Sequence, residues 1–178
     1  SNTRRLEKQA AFLERHQEYA LVGCNAQLIE GKRVWGERRL EKMPRRESFL
    51  RTSPFIHPAV MIRREVLESI GGYCVSPKVM RAEDYELFMR LYAKGCRGYN
   101  LQETLFQYRE DTKSYAKRKY RYRMNECRVR YRGFLELGIL NGNLHYVLKP
   151  LAAGLVPAWI MMVLRRKKYG RMRVSGSQ

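Results

Sequence analysis

The sequence predicts an α/β fold, and three observations carry that expectation. Gly71-Gly72-Tyr73 is a paired-glycine turn, which suits the stop of a helix because glycine takes the left-handed conformation without strain. Glu83-Asp84-Tyr85-Glu86-Leu87 opens a further helix with two adjacent carboxylates. Both stand between extended stretches at 58–64 and 101–109, so turn, helix and strands make one unit. A chain of 178 residues has room for one core, or for a core with a helical extension.

Taken in order, residues 3–17 read as a helix, with Leu6, Ala10, Leu13 and Gln17 on one face. Residues 19–29 read as a buried strand, Gly31-Lys32 as a hairpin turn, and Val34-Trp35 as the start of the returning strand. Pro44 suits the first turn of a short helix ending near Arg51. Two prolines then make 52–58 an irregular loop. After the strand at 58–64, residues 63–70 form a helix stopped by Gly71. The helix at 83–94 buries a stripe of Tyr85, Phe88, Met89 and Tyr92 and stops at Gly95. Residues 97–109 supply a strand or strand pair, and 113–137 a long helix rich in Arg and Tyr, broken at Asn141-Gly142. The last segment, 144–164, is almost wholly apolar apart from Lys149, contains Pro150 and Pro157, and runs into Arg165, Arg166, Lys167 and Lys168.

Thirty-six Lys and Arg against 17 Asp and Glu give a net charge of +19, concentrated beyond residue 112. Such an excess points to a polyanionic partner: nucleic acid, an anionic membrane surface or phosphorylated substrates. Cys24, Cys74, Cys96 and Cys127 stand far apart with no CxxC pair, which disfavours a zinc site or a disulfide framework and suits a reducing compartment. No secretory signal is seen, and the chain is expected to be a fragment of a longer protein.

The candidate residues and stretches each have more than one reading. Glu83 and Asp84 sit where helix dipole and free N–H groups favour acids in any helix, and where a rigidly held carboxylate could also serve as general base. His57, with no second His or Cys at ligand spacing, is a hydrogen-bonded loop residue or a substrate contact, not a metal ligand. Tyr108-Arg109 at a strand end could bind phosphate or pair with a carboxylate at the edge of the core. The cations and aromatics from Lys113 to Arg132 form a solvated face, a nucleic-acid surface or a prelude to the apolar segment. That segment is near the minimum length of a membrane span. Its prolines and Lys149, with Tyr146, Trp159 and the basic block, suit an element lying in a bilayer interface, and a buried helix before a basic tail is the other reading.

Over residues 4–115 the sequence resembles the family 2 glycosyltransferases, the inverting group with the GT-A fold. The resemblance rests on Arg5-Leu6-Glu7-Lys8-Gln9, the stretch 55–64, Gly71-Gly72-Tyr73, Glu83-Asp84-Tyr85-Glu86-Leu87 with Arg90-Leu91, and Tyr108-Arg109. It implies an incomplete GT-A-like domain over 3–111 that lacks the nucleotide-binding half, followed by a basic helical appendage over 112–178. It implies Asp84 as catalytic base and Glu83 as its neighbour. His57, Arg63, Gly71, Gly72, Tyr73, Tyr108 and Arg109 would contact substrate, and Asp111 would stand near the metal or diphosphate where many relatives carry a histidine. The donor would be a nucleotide-diphosphate hexose and the acceptor a glycan or lipid-linked glycan of a bacterial surface polysaccharide. Mn²⁺ or Mg²⁺ would serve the full-length enzyme, with none bound by this fragment, which would be inactive alone and open to self-association. The enzyme would sit in the cytoplasm against the inner face of the plasma membrane. The alternative is a non-catalytic basic module binding nucleic acid or anionic membrane through the 113–132 helix, and the resemblance argues against nucleic acid.

Overall fold

Ten residues, Leu21–Glu30 (β1), form the centre of a four-stranded sheet. Its first six residues are all buried, as expected of a strand covered on both faces. The computed structural model describes residues 2–109 and 120–170. Gly98–Arg109 (β4) runs parallel to β1, pairing Leu21 with Gly98 and Ile29 with Arg109, with register shifts on either side of Asn25. The other edge of β1 is divided. Arg33–Arg38 (β2) returns antiparallel through a hairpin at Gly31, whose φ is +61°, and Met61–Ile62 (β3) pairs antiparallel with Leu21 and Val22.

The expected strand at 58–64 is therefore two residues long. Its first part is taken by a 3-10 turn, His57–Ala59, built on Pro58. The expected helix from Pro44 is likewise one 3-10 turn, Arg46–Phe49, and 97–109 is a single strand, not a pair. The opening helix, Arg5–Arg15 (α1), buries Gln9 and Leu13 and leaves Leu6 57% exposed, so its inner face is rotated from the one the apolar pattern predicts. The cause is the Gln9 amide, fully buried because its Nε2 donates to the carbonyls of Val22 (3.0 Å) and Ala59 (2.8 Å).

Arg64–Ser69 (α2) ends in the glycine turn, where Gly71 and Gly72 have φ of +74° and +68°. Glu83–Ala93 (α3) buries Tyr85, Leu87, Phe88, Met89, Leu91 and Tyr92, adding two leucines to the expected stripe. These meet Phe49, Phe55, Phe134 and Leu137 in the main core.

Two of the helices that follow supply residues to that core: Cys127, Val129 and Phe134 from one and Val147 from the next. Tyr120–Glu136 (α4) packs on α3 with Gly133 under Met89: a Cβ on Gly133 would lie 2.5 Å from Met89 Sδ, so the methionine side chain fills the space a larger residue would need. The apolar segment is two helices, Leu144–Leu155 (α5, with Pro150 inside) and Ala158–Tyr169 (α6), parted at Val156-Pro157. α5 packs on α4, and α6 lies against β2, with Arg166 Nη2 2.7 Å from Oε2 of Glu30 at the end of β1. Among the described residues no helix is long and apolar enough to cross a membrane. The expected boundary between 111 and 112 lies outside the described residues.

Gly23 of β1 shows how tightly the sheet is built. A Cβ there would stand 2.2 Å from Asn100 Oδ1. Asn100 cannot move without losing the bonds from its Nδ2 to the carbonyls of Glu41 (2.8 Å) and Pro54 (3.2 Å). Gly23→Ala is expected to destabilise the fold by about 2 kcal/mol, from overpacking and loosened buried hydrogen bonds. Chemical denaturation checks this, with an unchanged midpoint as the contrary result.

Candidate active site

The paired carboxylates stand at the start of α3, whose N-cap, Ala82, offers no side-chain acceptor to the free N–H groups of the first turn. Asp84 supplies one: its Oδ1 accepts the Tyr85 N–H at 2.8 Å. Asp84 also lines a cleft of about 280 Å³ with His57 from the 3-10 turn and Tyr108 from the end of β4. Glu83 is half-buried on the same turn and is not among the lining residues.

His57 Nε2 and the Tyr73 hydroxyl share a hydrogen bond of 2.7 Å, its direction set by the imidazole tautomer. The glycine turn aims Tyr73 at this contact. The turn is itself held by Arg90, which donates to the carbonyls of Ile70 and Gly72 (2.8 Å) while paired with Glu86. Burial pushes the Tyr73 phenol above its ordinary pKa, and the nearby Asp84 charge adds to the rise. Asp84, His57, Tyr73 and Tyr108 thus form one neighbourhood, although no two of them are close in sequence.

Other expected site residues lie elsewhere. Arg63 donates to the carbonyls of Leu13, His16 (3.3 Å) and Tyr19 (3.0 Å), closing the end of α1, and does not line the cleft. Arg109 is exposed at the tip of β4, outside the lining. Asp111 lies outside the described residues. Among those described, no three His, Cys, Asp or Glu side chains come together as a metal site would need.

The cleft also holds residues that the sequence reading missed. Arg38 comes from β2, Arg81 from the turn before α3, Arg123, Glu126 and Arg130 from α4, and Arg165 from α6. A signal for three of them was present: residues 123, 126 and 130 recur at three- and four-residue steps, which puts them on one helix face. Arg81 has a φ of +70°, a left-handed conformation that costs a non-glycine residue about 1–2 kcal/mol. Arg130 is 4% exposed. It donates to Glu126 Oε1 (3.1 Å) and to the carbonyls of Leu50 (3.0 Å) and Tyr146 (3.3 Å), with its guanidinium 5.1 Å from the Tyr85 ring centroid.

Residues 5–170 match the model of glycosyl transferase family group 2. The chain is 33% identical over 165 residues to EpsE of Bacillus subtilis (strain 168), a provisionally named glycosyltransferase, covering 93% of this chain and 59% of the relative. It is 30% identical over 172 residues to the amylovoran biosynthesis glycosyltransferase AmsE of Erwinia amylovora, covering 92% and 62%. Over 98 residues it is 35% identical to the Escherichia coli UDP-Gal:alpha-D-GlcNAc-diphosphoundecaprenol beta-1,3-galactosyltransferase, covering 52% and 34%. The chain spans about three fifths of the length of the first two relatives.

Since a neighbouring negative charge disfavours phenolate, Asp84→Asn should lower the pKa of Tyr73 while burial still holds it above the ordinary value. NMR-monitored titration of ¹³C-labelled tyrosine reads this. An unmoved Tyr73 would place the two groups out of electrostatic reach.

Proposed function

The chain belongs to glycosyl transferase family group 2, and from that membership we propose that it carries the acceptor side of an inverting, GT-A-type hexosyltransferase with Asp84 as general base. The single observation behind this reading is the Asp84 cleft. A carboxylate on a rigid helix start faces a space large enough for part of a sugar, flanked by His57 and Tyr108.

The chemistry follows from that placement. An acceptor hydroxyl bonds to the anomeric carbon of a nucleotide-diphosphate hexose as the bond from that carbon to the diphosphate oxygen breaks on the opposite face. Asp84 takes the hydroxyl proton, and the nucleoside diphosphate leaves with the electron pair. His57 and Tyr73, joined to each other, are placed to orient acceptor hydroxyls. The acceptor is a glycan or lipid-linked glycan of a surface polysaccharide, as the names of the relatives suggest. Arg123 and Arg130 turn toward the cleft and so do not join a solvent-facing cationic stripe, which favours this reading over a nucleic-acid module.

In this reading the enzyme works in the cytoplasm against the inner face of the plasma membrane. Leu148, Leu155, Trp159, Val163 and Leu164 are all more than half exposed on α5 and α6, beside Arg166, Lys167 and Lys168. Apolar and basic groups together on a helical surface suit the interface of an anionic bilayer.

Two outcomes are expected. In the full-length protein, Asp84→Asn should lower sugar transfer by about 10²–10⁴-fold with folding and donor binding retained; transfer at the normal rate would refute the base. Leu155→Ser with Trp159→Ser should weaken co-sedimentation with anionic vesicles about tenfold or more. Equal binding by the double variant would remove these helices from membrane attachment.

A further inference from the structure

The chain has a second cavity, of about 740 Å³, that shares no lining residue with the Asp84 cleft. It lies between the segment 74–79 and the helices α3, α4 and α5. Its volume falls in the range of small-ligand sites, roughly 300–1,000 Å³. The interior is apolar: Val79, Met89, Cys127, Val129 and Val147 line it and are buried. None of the buried polar side chains among the described residues lines it, so a polar occupant would find no side-chain partner in its depth.

The rim has two characters. Leu144 and Leu148 of α5 line it while more than half exposed, and Leu155 continues the same helical face outward. Lys78, from the segment before α3, and Arg128 and Arg132, one turn apart on α4, also line it. The carboxylates that face these cations are Glu86 and Glu136. Glu86 is held by Arg90 at 2.8 Å, so three cations stand against one remaining carboxylate. Arg128 Nη1 reaches Asn125 Oδ1 at 3.5 Å, and among the described residues no ion pair joins Lys78, Arg128 or Arg132 to a carboxylate.

We propose that this cavity is a site for a single anionic phospholipid, with an acyl chain among Val79, Met89 and Val147 and the headgroup phosphate at Lys78, Arg128 and Arg132. Walls without polar side chains and a cationic rim call for an occupant charged at one end and apolar along the rest. The exposed leucines of α5 give its chain a path from the bilayer, and the proposal rests on the reading of α5 and α6 as a membrane-facing surface. The site also touches the Asp84 cleft through the backbone. The segment 73–81 meets the cavity at Cys74, Lys78 and Val79. One end of it carries Tyr73, bonded to His57, and the other carries Arg81, which lines the cleft. Val75 between them is 98% exposed, so the segment lacks protein cover there. A lipid seated against its middle steadies both ends.

NMR of the chain labelled with ¹³C-methyl methionine tests this. Dihexanoyl phosphatidylglycerol, kept below its micelle concentration, should shift the Met89 methyl and leave that of Met43, which lines neither cavity, in place. Dihexanoyl phosphatidylcholine, neutral overall, and glycerol 3-phosphate, without an acyl chain, should each bind about fivefold or more weakly. Arg128→Gln and Arg132→Gln, at exposed positions, should each weaken phosphatidylglycerol about fivefold, as for one cation lost beside an anionic headgroup. Lys32→Gln, on the hairpin turn, should leave binding unchanged. Amide exchange over residues 74–81 should slow when the lipid is bound. An unmoved Met89 methyl would overturn the proposal. So would equal affinity for the two lipids with indifference to both arginine variants, or exchange over 74–81 that ignores bound lipid. A monomeric lipid presents no bilayer, so the two readings fail separately. Monomer binding without vesicle binding sinks the membrane-facing reading of α5 and α6, and vesicle binding without monomer binding sinks this site.

Discussion

The buried guanidinium of Arg130 is the interaction on which the rest of the site depends. It is almost fully removed from water, and such a charge is tolerated in a core only when paired and hydrogen-bonded. Its partners answer that demand from three directions: Glu126 on its own helix, the Leu50 carbonyl after the first 3-10 turn, and the Tyr146 carbonyl on α5. Its face covers the ring of Tyr85, whose hydroxyl donates to the Phe49 carbonyl. Tyr85 follows Asp84 directly, so the carboxylate is placed by a residue clamped between the sheet domain and the later helices. Asn125 extends the clamp by donating to the carbonyls of Pro77 (2.8 Å) and Met80 (3.3 Å), which holds the chain that leads into α3.

That arrangement explains how much was legible in the sequence. The glycine turn, the hairpin at Gly31 and the buried stripe of α3 could be read because each is decided locally, by φ tolerance or by helical period. The face of α1 could not. An apolar count favours Leu6, whereas the packing is decided by the Gln9 amide, whose two carbonyl partners lie 13 and 50 residues away. The length of β3 was hidden for a similar reason: it pairs with β1 over just two residues before Arg63 turns to the carbonyls at the end of α1.

The candidate site divides in the same way. Asp84, His57, Tyr73 and Tyr108 were recognisable because they stand in motifs with a shared order along the chain. The arginines were not, because the excess of charge beyond residue 112 says nothing of direction. Composition suits an outward surface and an inward cleft equally, and only the packing of α4 on α3 and of α6 on β2 turns Arg123, Arg130 and Arg165 toward the carboxylate. The helical segment then has two faces with separate work, one closing the cleft and one carrying Trp159, Val163 and Leu164 to the outside.

The sheet, α3 and the helices that follow residue 119 form one folded body with Asp84 at their junction. Native-state hydrogen exchange tests it most directly. The account predicts that the buried amides of α4 from Cys127 to Phe134 exchange as slowly as those of α3 and β1, and that all three respond together to low denaturant. Fast, independent exchange in α4 against slow exchange in α3 and β1 would show a loosely attached extension, and would contradict a site built from both.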